Sequence, residues 1–101
     1  MKTIAFAELF AERPGEARFP LRVEIGCPYR DVIARDLWRC PVRIAPLHPH
    51  LSDIAGSDGF QALCLASQLV VTLLGEFRKG GARLLNDDGS DFPLEAYLPS
   101  K

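Results

Sequence analysis

A chain of 101 residues with 48% apolar and 25% charged side chains and a net charge of −1 is expected to form one globular domain over residues 1–101. That balance excludes a disordered or fibrous chain and leaves no overall field to draw the molecule onto nucleic acid or an anionic membrane. Three cysteines, Cys27, Cys40 and Cys64, and an N-terminal run broken by Glu8 without a small-residue cleavage site predict reduced thiols and a cytoplasmic protein.

Residues 1–26 predict a β-hairpin. Pro14-Gly15 suits the centre of a type II turn, because proline fixes φ and glycine accepts φ > 0. A two-residue loop there pairs Phe10 with Phe19, Phe6 with Val23 and Ile4 with Ile25, all on one side of the pleat. The other side takes Ala5, Ala7, Leu9 and Ala11 opposite Arg18, Pro20, Arg22 and Glu24. Glu8 then falls on the apolar side, opposite Leu21. Type II turns twist two-residue hairpins unfavourably, so a longer loop with a looser register is the alternative.

Residues 37–47 alternate as a strand: Trp38, Cys40, Val42 and Ile44 point one way, Arg39, Pro41 and Arg43 the other. Pro41 donates no ladder hydrogen bond and places the strand at an edge or a bulge. Residues 27–36 form a long connection without a turn signature. Residues 46–56, with Pro46, His48, Pro49, His50 and Ser52, read as a loop.

A long helix follows over residues 58–79. Asp58 is its N-cap and Gln61 completes a capping box. Gly80-Gly81 supplies a left-handed stop, and Arg78 and Lys79 complement the C-terminal dipole. Residues 82–86 predict a fourth strand, Asn86, Asp87, Asp88 and Gly89 a turn, and residues 91–98 either a short capped helix or extended chain. The expected fold is α+β: a three- to four-stranded antiparallel sheet in β-β-β-α-β order, covered on one face by the single helix.

The helix is too apolar for that role alone. At 100° per residue its apolar positions run from Leu65 through Leu69 and Leu73 to Val71 and Cys64, an arc of roughly 260°, where one sheet covers about 100° or somewhat more. Leaving Leu65, Leu69 and Val71 in water forgoes about 1.5–3 kcal/mol each. A cover is therefore expected from Phe92, Leu94, Tyr97 and Leu98, from a second copy of the chain, or from both; a homodimer is the expected assembly. Gln61, Ser67, Gln68 and Thr72 within the helix, and Glu76, Arg78 and Lys79 at its end, favour a soluble core helix over a membrane span.

His48 and His50, flanking Pro49 and followed by Asp53, are the candidate metal ligands, since residues two apart on extended chain share a side. No spaced second half accompanies them, so solvent-facing loop histidines are the simpler reading, and no cofactor is expected. Cys40 and Cys64 read as small core hydrophobes; Cys27, ahead of Pro28 at a strand end, is the accessible thiol. No catalytic residue is assigned. Arginines crowd between Arg13 and Arg43, with Arg22, Arg39 and Arg43 on the outer sheet face, where an anionic partner could be met. Glu16, Glu24, Asp31 and Asp36 interleave with them, and no aromatic residue is predicted there to stack on bases, so a cross-strand ion-pair face is expected. Asp87-Asp88-Gly89-Ser90-Asp91 lacks the EF-hand spacing and reads as an acidic turn.

Trp38-Arg39-Cys40-Pro41-Val42-Arg43-Ile44 and Gly56-Ser57-Asp58-Gly59-Phe60-Gln61-Ala62-Leu63, continuing through Leu65-Ala66, resemble a family of small bacterial domains of unknown function. Its members pair a Trp-x-Cys strand with a helix opening Gly-x-Asp-x-x-Gln-Ala-Leu-x-Leu-Ala, and the likeness covers mainly residues 37–74. The family often has an aromatic residue where this chain has Val42. The resemblance implies a small α+β domain without an assigned activity and carries over no catalytic residues.

The function expected is that of a non-catalytic, cytoplasmic protein-interaction or accessory (immunity-like) domain using Leu65, Leu69, Val71, Arg22, Arg39 and Arg43. A small metal- or thiol-dependent enzyme using His48, His50 or Cys27 is the alternative. Weak nucleic-acid binding through the arginine face is third.

Overall fold

Seven strands and one long helix make up the described residues: β1 (Thr3–Glu12), β2 (Phe19–Gly26), β3 (Tyr29–Arg30), β4 (Trp38–Cys40), β5 (Val42–Ala45), β6 (Ile54–Gly56), α1 (Gly59–Lys79) and β7 (Arg83–Leu85), followed by a 3-10 helix at Leu94–Tyr97. The structure, a computed structural model, describes residues 1–97. It is α+β, with antiparallel sheets and one helix packed on the strands.

The first turn forms as its residues require: the Glu16 N–H donates to the Arg13 carbonyl at 3.0 Å, and Gly15 takes φ 75°. Ala17 and Arg18 then lengthen the loop, and pairing begins with Ala11 opposite Phe19. The register is thus one residue away from that of a two-residue loop: Phe10 faces Pro20, Phe6 faces Glu24 and Ala5 faces Ile25. A one-residue slip exchanges the two faces of a strand. Ala5, Ala7, Leu9 and Ala11 share the inner face with Phe19, Leu21, Val23 and Ile25, while Ile4, Phe6, Glu8 and Phe10 point outward. The longer loop spares the hairpin a mismatched twist. It also sets Glu8 opposite Arg22 rather than Leu21.

Pro41 divides the expected strand over residues 37–47. With no N–H to donate, it separates β4, central in a three-stranded sheet ordered β3-β4-β6, from β5, at the edge of a four-stranded sheet ordered β5-β2-β1-β7. There are two sheets where one was expected. Two short strands also lie in segments read as irregular: β3 within residues 27–36 and β6 within residues 46–56, each pairing with β4. The fourth strand expected over residues 82–86 is β7, beside β1.

The helix keeps its expected limits. The Gln61 N–H donates to Asp58 Oδ1 at 2.8 Å, but Gln61 Oε1 accepts from the Ser57 N–H at 2.6 Å, one residue ahead of the usual capping-box partner. Gly81, at φ 103°, provides the left-handed stop. By length and composition α1 would suit a membrane span, weak evidence in a single helix; it packs here against β4, β6 and the larger sheet. Leu21, Ile44 and Cys40 are the largest fully buried side chains, and of the 21 helical residues only Ala62, Ala66, Val70 and Leu74 are buried. The segment expected as either a short capped helix or extended chain combines both: Asp91 bridges to Leu85 and only Leu94–Tyr97 is helical, with Phe92 stacked on Tyr97 at 5.4 Å between ring centroids; Leu98 lies outside the described residues.

Candidate interaction site

The helix packs on β6 and β4, reaches β2 and β5 more lightly, and barely meets β1. The inner face of β1 carries alanine at positions 5 and 7, too small to reach it. The result is an open groove of about 870 Å³ between β1, α1 and the 3-10 helix. Ala5, Ala7, Leu9, Val23 and Ile25 form its sheet side, Leu63, Cys64, Val70, Val71 and Leu74 its helix side, and Phe92, Leu94 and Tyr97 one flank. Ser67, Gln68 and Thr72 are its polar rim, and among the described residues no charged side chain lines it. Such a site can receive apolar side chains and orient them with a few hydrogen bonds; among the described residues it gathers no acid–base or nucleophile–base pair.

Of the surface proposed from sequence, Val71 lines this groove, Leu69 is half-buried against the core, and Leu65, 38% exposed, lies on the opposite flank of α1. The C-terminal segment covers part of the wide apolar arc, as Phe92, Leu94 and Tyr97 do at the groove. Phe60, 73% exposed, stays open at the helix start.

The arginine face is also rearranged. Arg22 and Arg43 lie on the outer side of the four-stranded sheet with Glu24 between them: Arg22 Nε donates to Glu24 Oε1 at 3.0 Å and Arg43 Nη2 to Glu24 Oε2 at 2.5 Å. Arg22 Nη1 also reaches Glu8 Oε1 at 2.6 Å. Hydrogen bonds from Arg43 first, then Arg22, hold the Glu24 carboxyl below its usual range. The register shift brings Phe6 and Phe10 to this same side, correcting the expectation of a face without aromatics. Their rings are already occupied, with the Arg22 guanidinium 4.1 Å from the Phe6 centroid and that of Arg18 4.2 Å from Phe10.

Arg39 belongs to the other sheet, apart from Arg22 and Arg43. Its Nε donates to Asp31 Oδ2 at 2.5 Å, while Asp31 Oδ1 accepts from the Ile33 and Ala34 N–H groups, both at 2.8 Å. The Arg39 contact first, and then these backbone bonds, lower the Asp31 carboxyl from 3.8 to about 2. A carboxyl whose folded pKa lies below its unfolded one adds stability above about pH 4 and loses it as pH falls through the folded value. Asp31→Asn is therefore expected to flatten the drop in melting temperature between about pH 4 and pH 2, measured by circular dichroism. An unchanged acid limb would show that this pair does not hold the 31–34 turn.

A shallow cleft of about 570 Å³ between the two sheets gathers Cys27, Tyr29, Arg43 and Asp53 with Met1, Lys2 and several prolines. The Tyr29 hydroxyl donates to Asp53 Oδ2, a contact that, with lesser help from burial, pushes the phenol up. Cys27 is exposed here, but neither His48 nor His50 lines the cleft. His48 is instead held by its backbone, which exchanges hydrogen bonds with Ile44. Among the described residues no three His, Cys, Asp or Glu side chains come close enough to hold a metal ion. Cys40 is buried, and desolvation first of all raises its thiol.

Fold and groove together define a small α+β domain whose distinctive site is apolar. The family model for a domain of unknown function (DUF6968) matches residues 9–94, and the chain belongs to that family. No curated protein and no solved structure matches it.

Proposed function

We propose that this chain is a non-catalytic protein-interaction domain that receives part of another polypeptide in the groove between α1 and β1. One observation carries the reading: among the described residues, a long apolar helix buries only four of its 21 residues and borders an open groove with no charged lining. Its composition suits apolar side chains better than it suits a polar substrate. An accessory, immunity-like role is the finer form of the proposal, and small size and modest charge support it. A cytoplasmic location is part of the same reading, supported by free thiols at Cys27, Cys40 and Cys64.

A photo-crosslinking amino acid placed at Val71, on the groove wall, is expected to give discrete polypeptide adducts in cells. The same group at Glu76, about 140° away around the helix, is expected to give none. Ala7→Arg, which fills the groove with a charge, should abolish the adducts at position 71. If position 71 yields no polypeptide adduct, the interaction reading is lost.

A further inference from the structure

Two of the chain's passages between its sheets lie side by side. Strand β2 leads into β3 through Cys27-Pro28, and β4 leads into β5 through Pro41. The register of β2 against β5 runs up to that point, with Glu24 facing Arg43 and Ile25 facing Val42. One residue further the Gly26 N–H donates to the Pro41 carbonyl at 2.9 Å, so Cys27 comes opposite Cys40. Hydrogen-bonded and non-hydrogen-bonded pairs alternate along an antiparallel ladder. Gly26 and Pro41 occupy a bonded site, and Cys27 and Cys40 therefore an unbonded one. The Cys27 N–H agrees, since it turns away from β4 to the Lys2 carbonyl at 2.8 Å. Beyond it Tyr29 faces Arg39, so Cys27 and Pro28 together oppose Cys40 alone, as in a β-bulge.

Side-chain positions fit this register. A Cβ on Gly26 would lie 2.9 Å from the Pro41 Cβ, which puts those two on one face and Cys27 and Cys40 on the other. Pro41 has no N–H to return to Gly26. The Cys40 thiol takes that place, donating across 3.4 Å to the Gly26 carbonyl oxygen. That oxygen belongs to the peptide joining Gly26 to Cys27, so the Cys40 sulfur stands no more than about 6 Å from the Cys27 Cα. Unbonded antiparallel sites hold their Cα atoms about 4.5 Å apart, and disulfides span roughly 4.4–6.8 Å. Cys27 is exposed in the cleft between the sheets, whereas Cys40 is fully buried. Cys64 lines the helix groove instead.

We infer that Cys27 and Cys40 are a peroxide-sensitive thiol pair that closes into a disulfide and ties the two sheets together at their crossing. The Cys27 sulfur attacks one peroxide oxygen, the O–O bond breaks, and the other oxygen departs as water with the thiol proton. The Cys40 sulfur then attacks the sulfur of the Cys27 sulfenic acid. The S–O bond breaks, and the hydroxyl leaves as water with the Cys40 proton. Two thiols are oxidised and one peroxide is reduced to two waters. Access sets the order: Cys27 meets the oxidant first, while burial shields Cys40 and raises its thiol. A reducing thiol reopens the bond by exchange.

The full chain, reduced and then freed of reductant, is treated with equimolar hydrogen peroxide at neutral pH. Its intact mass is expected to fall by two hydrogens without a change in sedimentation, and dithiothreitol should restore it. Digestion after lysine and arginine without reductant should yield residues 23–30 joined to residues 40–43, with Cys64 free. Cys64→Ser should leave that link intact. Cys27→Ser, at an exposed position where the fold tolerates exchange, should abolish it. Cys40→Ala stops the sequence after its first step, so dimedone, which caps sulfenic acids, should label Cys27 there and not in the unmodified chain. Circular dichroism verifies that this variant is folded, and the peptide map of the unmodified chain serves where it is not. A Cys27 that stays a thiol or runs on to sulfinic acid while Cys40 remains free overturns the pairing. So does a link from Cys27 to Cys64 or to a second chain, or a Cys27–Cys40 link that forms only in urea. An unlabelled Cys27 in folded Cys40→Ala overturns the order of the two steps.

Discussion

Leu21→Ala is expected to lower stability by about 2–5 kcal/mol, the usual cost of emptying a leucine site that cannot collapse. Leu21 is 1% exposed and faces Leu9, itself 2% exposed, at the centre of the four-stranded sheet. In a domain with some 5–15 kcal/mol in total that loss is severe, and the melting temperature should fall by roughly 10–20 °C. Leu9→Ala should cost a similar amount. That result separates two registers, because a two-residue loop would put Leu9 on the outer face opposite Pro20. Ile33→Ala, at a site 89% exposed, should change stability by less than about 0.5 kcal/mol. Urea denaturation of the three variants checks the ordering. A mild Leu9→Ala would return β1 to the opposite face.

The helix was legible because everything that defines it is local. Asp58 and Gln61 lie within one turn of its start, Gly80 and Gly81 directly follow its end, and the apolar period between them has no competitor. The inner face of β2 was legible for the same reason. The face of β1 was not, because it depends on parity: one further residue in the loop after Pro14-Gly15 reverses every side chain of the strand. The signs were present in Glu8, which a two-residue loop buries, and in the poor twist of a type II turn between strands. Strands β3 and β6 are two and three residues long. Such pieces have too few positions to show alternation, and only their common neighbour β4 makes them strands.

The site divides in the same way. The excess apolar arc of α1 is visible from residues 58–79 alone, and part of it lines the groove. Where the groove opens is not visible there, because it depends on Ala5 and Ala7, which look like unremarkable small residues until the register turns them inward. The grouping of Arg22, Arg39 and Arg43 failed at Pro41, which sends Arg39 to a different sheet. Aromatic side chains reach the arginine face through the same parity that inverted β1.

Gly56→Ala is expected to destabilise the fold, while the same exchange at Gly75 should stabilise it. A Cβ on Gly56 would lie 2.5 Å from the Ala62 nitrogen and 2.9 Å from its Cα. Both are backbone atoms in the first turns of α1, where Ala62 is fully buried and its N–H donates to the Asp58 carbonyl at 3.0 Å. The obstacle is space rather than torsion, because Gly56 has no left-handed φ. No flexible side chain can yield, so the end of β6 or the start of the helix must move. Overpacking of this kind costs about 1–3 kcal/mol. A Cβ on Gly75 meets nothing within 4 Å, and replacing a helix-interior glycine with alanine returns up to about 1 kcal/mol. Thermal melts of the two variants should therefore move in opposite directions, by roughly 5–15 °C downward for Gly56 and a few degrees upward for Gly75. A neutral Gly56→Ala would mean that the end of β6 does not abut the first turns of α1 as closely as the Ala62 backbone places it.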